Sequence, residues 1–523
     1  QLTGKNAGGA STLSMQVIKN SFTSSEAEGI KGIIRKFTDI YLAVFKLERQ
    51  YSKEEIIEFY VNNHYLGNNA YGVQQASQVY FGKDVSELNL AEASLLVGMF
   101  QAPSTYDPYK YPENATERRK TVLYQMKNHG YITEEEEELA NSIPVESLLE
   151  TAPTSTQKYQ GFIDTLVEEI EDKYNVNPYS TPMVIYSTLD QDKQKAVENI
   201  LDGDGYDWVN DVIQCGVAVL DADTGRILAI GAGRGRNGSL EYNYATQIKR
   251  QPGSTAKPLF DYGPGIEYDN WSTYKLFDDE PWSYSDGTPM NNWDGSYYGT
   301  ITLREALSAS RNIPALKAFQ QVVSDVGKQD IIDFVTGLGI EPELCEKGYS
   351  YDKESKKCVS NDNKSKTANA TLHEAHSIGA FNGASPIQMA AAYAAFANGG
   401  YYYEPHAFTK IVFRDTDETI KSDDLEETSE ENRVMSDATA YMITSVLQDV
   451  VGSSMKVSNV NYAAKTGTSN YDEQTIQEYG LAADAVNDGW TIAYDTETVF
   501  ADWFGYKEIS SKYYNRMAQQ ANM

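Results

Sequence analysis

The feature that most limits the folds open to this chain is a change of hydrophobic period part-way along it. Across residues 33–129 apolar side chains recur at helical steps, as at Ile40, Val44 and Leu47 and again at Ile56, Ile57, Phe59 and Tyr60. Ser52 with Glu55 three residues later has the form of a capping box opening the second run. Strand patterns are nearly absent there. Residues 101–112 interrupt with three prolines, a further helix is expected over 118–127, and the acidic run 134–138 reads as a solvated helix face. Residues 151–157 are a Thr/Ser/Pro connector, after which 183–188 reads as a strand and 193–201 as a helix. Residues 215–220 and 226–230 then read as apolar strands joined by a turn at 221–225, and helices and strands alternate to the end. Two such regimes in 523 residues require at least two cores. The expected organisation is a mainly α domain over 1–150, a small α/β linker over 151–210 and an α+β domain over 211–523.

Charge narrows the function classes. With 44 basic against 75 acidic side chains the formal net charge is -31, which argues against a nucleic-acid binder, since such affinity comes from clustered Lys and Arg on phosphates. The first 53 residues depart from that balance, with eight basic and four acidic side chains. A locally basic start suits an anionic substrate or a membrane surface, and equally an ordinary solvated helix face. At 41% hydrophobic and 12% aromatic residues, the chain buries enough apolar surface to fold. It shows no uninterrupted apolar stretch near the length of a membrane span and no signal peptide at its start. The three cysteines give no zinc spacing; Cys215 reads as a core residue, while Cys345 and Cys358 flank a polar excursion as either a disulfide or two free thiols. The five histidines have no spacing that suggests metal or triad chemistry, and no metal ligands are expected.

Three short elements carry chemistry. In Ser254-Thr255-Ala256-Lys257, preceded by Pro252-Gly253, a helix starting at the turn places the hydroxyl and the amine on one face, so that a neutral lysine can take the serine's proton. The same spacing at Ser350/Lys353 and Ser453/Lys456 lacks the Pro-Gly turn. Ser310-Arg311-Asn312, after a helical segment at 303–307, adds a second hydroxyl and an amide; Ser308 reads as a helix-end hydroxyl. Lys465-Thr466-Gly467-Thr468 reads as an exposed strand with both threonines on one face, a glycine open to another backbone and a cation for a carboxylate. The order SxxK, SxN, KTG is the signature of serine β-lactamases and penicillin-binding proteins.

On these motifs, and on the matching stretches 221–229, 379–400 and 488–490, residues 211–506 resemble the transpeptidase domain of the class A (bifunctional) penicillin-binding proteins. The amino-terminal part resembles that family's lysozyme-like glycosyltransferase domain. Residues 9–16 look like its second motif, 35–48 like the third, 60–83 like the fourth and 95–103 like the fifth. The acidic first motif and the membrane anchor of the family have no counterpart, and Asp39 stands where the third motif has Glu. The chain is therefore expected to start inside its first domain, with glycosyl transfer impaired.

The resemblance implies peptidoglycan synthesis at the extracytoplasmic face of the cell membrane. Ser254 would attack the penultimate carbonyl of a stem peptide ending in D-Ala-D-Ala, Lys257 would act as base, and the N–H groups of Ser254 and Thr468 would form the oxyanion hole. Ser310 would relay a proton, Asn312 would hold the acyl amide, and Lys465 with Thr466, Gly467 and Thr468 would receive the terminal carboxylate. Ser11, Thr12, Gln16, Lys19, Arg35, Lys36 and Asp39 would serve a lipid-linked pyrophosphate. β-Lactams and cell-wall synthesis proteins follow as partners. No cofactor is implied for transpeptidation, and glycosyl transfer leaves room for a divalent metal. The rival readings are a serine β-lactamase, whose ExxLN loop does not occur here, and a non-catalytic β-lactam sensor or cell-wall scaffold.

Overall fold

In the computed structural model the described residues are 11–22, 29–68, 70–150, 159–179, 181, 183–236, 241–362, 364–413, 419–421, 432–451 and 460–516; for 20–35 the side chains are not described. Through residue 150 every regular element among the described residues is a helix, from Leu13–Phe22 and Gly29–Leu42 to Glu134–Ser142 and Val145–Leu148. Ser52 accepts from Glu55 N while Glu55 accepts from Ser52 N, so the helix Lys53–Asn62 begins on the expected capping box. The helix Leu90–Met99 starts likewise on Asn89 with Glu92, whose buried carboxylate also receives Lys83 Nζ at 2.6 Å. Burial here is divided among small clusters, one around Leu66, Tyr80, Leu95 and Met99 and another around Val17, Ile18, Leu47 and Ile56.

The carboxy-terminal region is organised by one antiparallel sheet of strands β1 (Gln214–Asp221), β2 (Ile227–Gly231), β3 (Ala463–Asn470), β4 (Ala485–Tyr494) and β5 (Thr498–Gly505), in the order β3-β4-β5-β1-β2. Both faces are covered, so β1 alternates between two cores: Cys215, Val217 and Val219 pack with the helix Gln191–Asp202, and Ala218 and Leu220 join the main cluster with the helix Pro386–Ala397. That main cluster also takes in Phe162, Leu166 and Ile170 of the helix Gln160–Tyr174. The strand Met183–Ser187 pairs with Phe408–Phe413, far along the chain. Residues of the expected linker are thus built into the carboxy-terminal core. Asp221 closes the β1–β2 turn by accepting from Asp223 N and Thr224 N, and Gly225 there has φ +73°.

A second small sheet, Tyr349–Asp352, Lys357–Ser360 and Thr367–Asn369, carries the Cys345–Cys358 pair, which is a disulfide. Cys215 is a buried free thiol. Among the described residues no helix is long and apolar enough to cross a membrane, and no group of three His, Cys, Asp or Glu side chains is arranged to hold a metal ion.

Candidate active site

The turn bearing Ser254 is fixed by main chain packed on main chain. Gly253 has φ +56°, and a methyl there would stand 2.2 Å from Thr468 O. Across the contact a methyl at Gly467 would stand 2.2 Å from Pro252 O, and one at Gly379 2.3 Å from Gly253 O. Only glycine permits these approaches. Trp490 Nε1 donates to Gln251 O at 2.9 Å and Tyr393 OH to Thr255 O at 2.7 Å, so two buried aromatics of the core hold the turn from below.

The sequence suggests a helix starting at this turn; the structure has a 3₁₀ turn over Gly253–Ala256, a π-turn over Pro258–Tyr262 and only then an α-helix, Gly263–Tyr268. Residues three apart eclipse in a 3₁₀ turn, which puts Ser254 and Lys257 side by side, and Pro258, lacking an N–H, suits the change of winding. Lys257 does not hydrogen-bond to Ser254. Its Nζ donates to Ser310 O at 2.7 Å and to Asn312 Oδ1 at 2.8 Å, with Ser310 Oγ at 3.4 Å. The Ser254 hydroxyl is partly exposed and has no hydrogen-bond partner among the described residues.

Burial pushes the Lys257 amine well below its ordinary range, and the Lys465 and Arg311 cations reinforce this against Asp261. Lys465, equally buried, is brought to about 7 by burial, and its Nζ donates to Ser310 Oγ at 2.9 Å and to Thr466 O at 2.8 Å. Ser310 therefore lies between the two lysines. It is a non-glycine residue at φ +52°, a conformation that persists only when the surroundings impose it. Asn312, opening the helix Asn312–Asp325, spends its own amide group on Asn291 O at 3.0 Å. On β3, Lys465 and Gly467 are buried toward the serine turn, whereas Thr466 and Thr468 are partly exposed. Ser254, Lys257, Ser310, Asn312 and Lys465 thus share one site, although 211 residues of sequence separate its ends. Ser308 lies at the end of the helix Leu303–Ser308, its hydroxyl on Glu305 O.

In the amino-terminal region Thr12 caps the helix Leu13–Phe22, accepting from Met15 N at 3.2 Å, and Ser11 is exposed beside it. Ser14 Oγ donates to Glu48 Oε1 at 2.6 Å, which ties the second motif to the third. Asp39 is buried, Gln16 and Lys36 are half-buried, and Lys19 is exposed. Arg35 lies in the helix Gly29–Leu42, but its side chain, like residues 9 and 10 of the second motif, is outside the described set.

The family profile described as the penicillin-binding protein transpeptidase domain matches residues 215–521, and the transglycosylase profile matches residues 1–127. Penicillin-binding protein 1A/1B of Bacillus subtilis is 39% identical over 97% of this chain, and penicillin-binding protein 1A of Streptococcus pneumoniae 35% identical over 95% of it. This chain belongs to the class A penicillin-binding proteins. It spans 52% of the length of the Bacillus relative and 67% of the pneumococcal one. Its fold is that of PonA1 from Mycobacterium tuberculosis, solved with penicillin V (TM-score 0.52, 22% identity, 67% of this chain and 85% of that one). It also matches penicillin-binding protein 1A from Haemophilus influenzae (TM-score 0.50, 21% identity, 90% of this chain and 83% of that one). The transglycosylase match does not favour the β-lactamase or sensor readings.

Three residues at this site escape sequence reasoning. Asp279 and Asp294 accept from the buried Arg311, the residue between Ser310 and Asn312, and Asn292 donates to Asp279 and accepts from Asn312 N. The only local signal is the Asp294-Gly295 turn dipeptide, which marks a bend and says nothing about its partner.

Proposed function

We propose that the carboxy-terminal site crosslinks peptidoglycan stem peptides through an acyl-serine intermediate. The observation that carries this reading is the pair of buried lysines meeting on Ser310 beside Ser254. Lys257 has both hydrogen bonds of a neutral amine engaged, on Ser310 O and Asn312 Oδ1, which leaves its lone pair for the Ser254 proton. Ser254 Oγ then bonds to the penultimate carbonyl carbon of a stem ending in D-Ala-D-Ala. The oxyanion rests on the N–H groups of Ser254 and Thr468. Ser310, hydrogen-bonded from Lys465, passes the proton to the departing D-Ala amine, and an amine from a second stem breaks the ester. Asn312 receives the acyl amide by exchanging Asn291 O for it. Lys465, in its cationic form, draws the terminal carboxylate to the face of Thr466 and Thr468. A β-lactam carries the same carboxylate and a strained amide, so it acylates the same serine.

The amino-terminal region supplies the glycan-polymerising half of the parent protein, with Ser11, Thr12, Gln16, Lys19, Arg35 and Lys36 gripping the pyrophosphate of a lipid-linked precursor. Asp39 and Glu48 act as supporting carboxylates. The disulfide fits an oxidising, extracytoplasmic location at the membrane face.

Labelling with a fluorescent penicillin tests the reading. Ser254→Ala abolishes the covalent adduct while circular dichroism is unchanged, and the wild-type chain converts a donor stem and an acceptor amine into a crosslinked dimer. Undiminished labelling of the variant at another residue would refute the assignment.

A further inference from the structure

Arg311 sits between two residues of the proposed site and turns into the interior toward Asp279 and Asp294. Its side chain is fully buried. Nε donates to Asp279 Oδ2 at 2.8 Å, Nη1 to both oxygens of Asp294 at 3.0 and 2.9 Å, and Nη2 to Ser296 O, while the guanidinium lies 3.9 Å from the Tyr298 ring centroid. Asn292 completes the clamp. Its Nδ2 donates to Asp279 Oδ1 at 2.6 Å and Ser296 O at 2.9 Å, and its Oδ1 accepts from Asn312 N at 2.9 Å and Ile313 N at 3.2 Å. The helix that opens with Asn312 is therefore capped by a residue 20 positions away, since Arg311 at its N-cap offers no side-chain acceptor. Holding Ser310 at positive φ requires such outside restraint.

We propose that Arg311 is a positioning residue for acylation, whose fork, anchored on Asp279 and Asp294, holds Ser310 and Asn312 in place against Lys257. This rests on the acyl-serine reading above. A point charge cannot replace the planar fork, which satisfies three acceptors at once. A buried cation this close to Lys257 also disfavours its protonation. The other groups acting on Lys257 are Lys465 from β3, in the same sense, and Asp261, four residues on, in the opposite sense. Tyr262, beside Asp261, and His376, on the 3₁₀ turn Glu374–Ile378, stay neutral because burial raises the phenol and lowers the imidazole. Charged side chains of the neighbouring helices are engaged elsewhere, Arg304 with Asp449, Lys317 with Asp278 O and Glu267 with Ser436.

The experiment is the rate of acylation by a fluorescent penicillin across pH in the wild type, Arg311→Met, Arg311→Lys and Asp294→Ala, with the labelled residue mapped each time. Arg311→Met slows acylation about a hundredfold at unchanged saturating label, as expected for a displaced catalytic group, and moves the acid limb up by about one pH unit. Arg311→Lys keeps the acid limb where it was but still slows acylation about tenfold. Asp294→Ala, at the less buried partner, slows it about fivefold and serves if Arg311→Met does not fold. Overturning results are an Arg311→Met profile of wild-type rate and limb, an Arg311→Lys profile as displaced as that of Met, or wild-type kinetics in Asp294→Ala. A wild-type protein unlabelled at Ser254 would instead break the underlying acyl-serine reading.

Discussion

The two ends of this molecule hold their chemistry in opposite ways. In the amino-terminal region the residues proposed for glycosyl transfer sit over small clusters, with Ser11, Thr12 and Lys19 exposed, Gln16 and Lys36 half-buried, Asp39 buried, and the Ser14 to Glu48 bond joining two motifs. In the carboxy-terminal region two lysines and an arginine are buried completely, held by a glycine seam and a carboxylate clamp. Buried charge costs several kcal/mol per ion unless it is paired or neutralised, so such a site forms only on a continuous core. The difference teaches that one chain buries two lysines and an arginine where the sheet and its covering helices are extensive, and keeps most of its polar side chains at or near the surface where they are not.

The largest test of that contrast is Gly467→Ala. A methyl 2.2 Å from Pro252 O must push β3 from the serine turn, and we expect penicillin labelling to fall at least a thousandfold with a visible loss of thermal stability. Unchanged labelling would show that the seam is not what places the serine.

Next is the pH profile. Lys465, brought to about 7 by burial, is cationic below that value, so its attraction for a carboxylate is complete below pH 7 and is lost as pH rises through it. Acylation by a carboxylate-bearing β-lactam should fall by up to tenfold per pH unit above 7, and an uncharged ester of the same compound should show no such limb.

A smaller effect is expected from reducing Cys345–Cys358. The bond closes a short loop over a sequence separation of 13, worth about 3 kcal/mol by loop entropy, and it lies outside the serine site. Calorimetry should show a lower melting temperature while the acylation rate stays constant.

The smallest concerns the other half. Glu48→Gln weakens the bond from Ser14 and should cost about 1 kcal/mol, read as faster proteolysis of the amino-terminal helices with penicillin labelling untouched. A change in labelling would mean that the halves are coupled.

Much of the carboxy-terminal site is legible in sequence because its local geometry is. Ser254 and Lys257 face the same way through their spacing of three, and the alternation of β3 sorts Lys465 and Gly467 from Thr466 and Thr468. The fold classes follow from the change of period, and the capping box at Ser52 from its spacing. What stays hidden is pairing across long loops. Nothing near Arg311 names Asp279 or Asp294, nothing near Ser14 names Glu48, and the spacing of Cys345 and Cys358 leaves bonded and free thiols open. The turn from 3₁₀ to π winding after Ser254 is likewise imposed by the packing of Gly253 on Thr468, which no local propensity records.

The glycine seam has a consequence for how far this scaffold can vary. At Gly253, Gly379 and Gly467 any side chain would collide with main chain, so no graded substitution there can shift the Ser254 turn slightly while leaving the seam closed. Variation that moves the serine turn must therefore enter around the seam, and drift at the three glycines is closed to it.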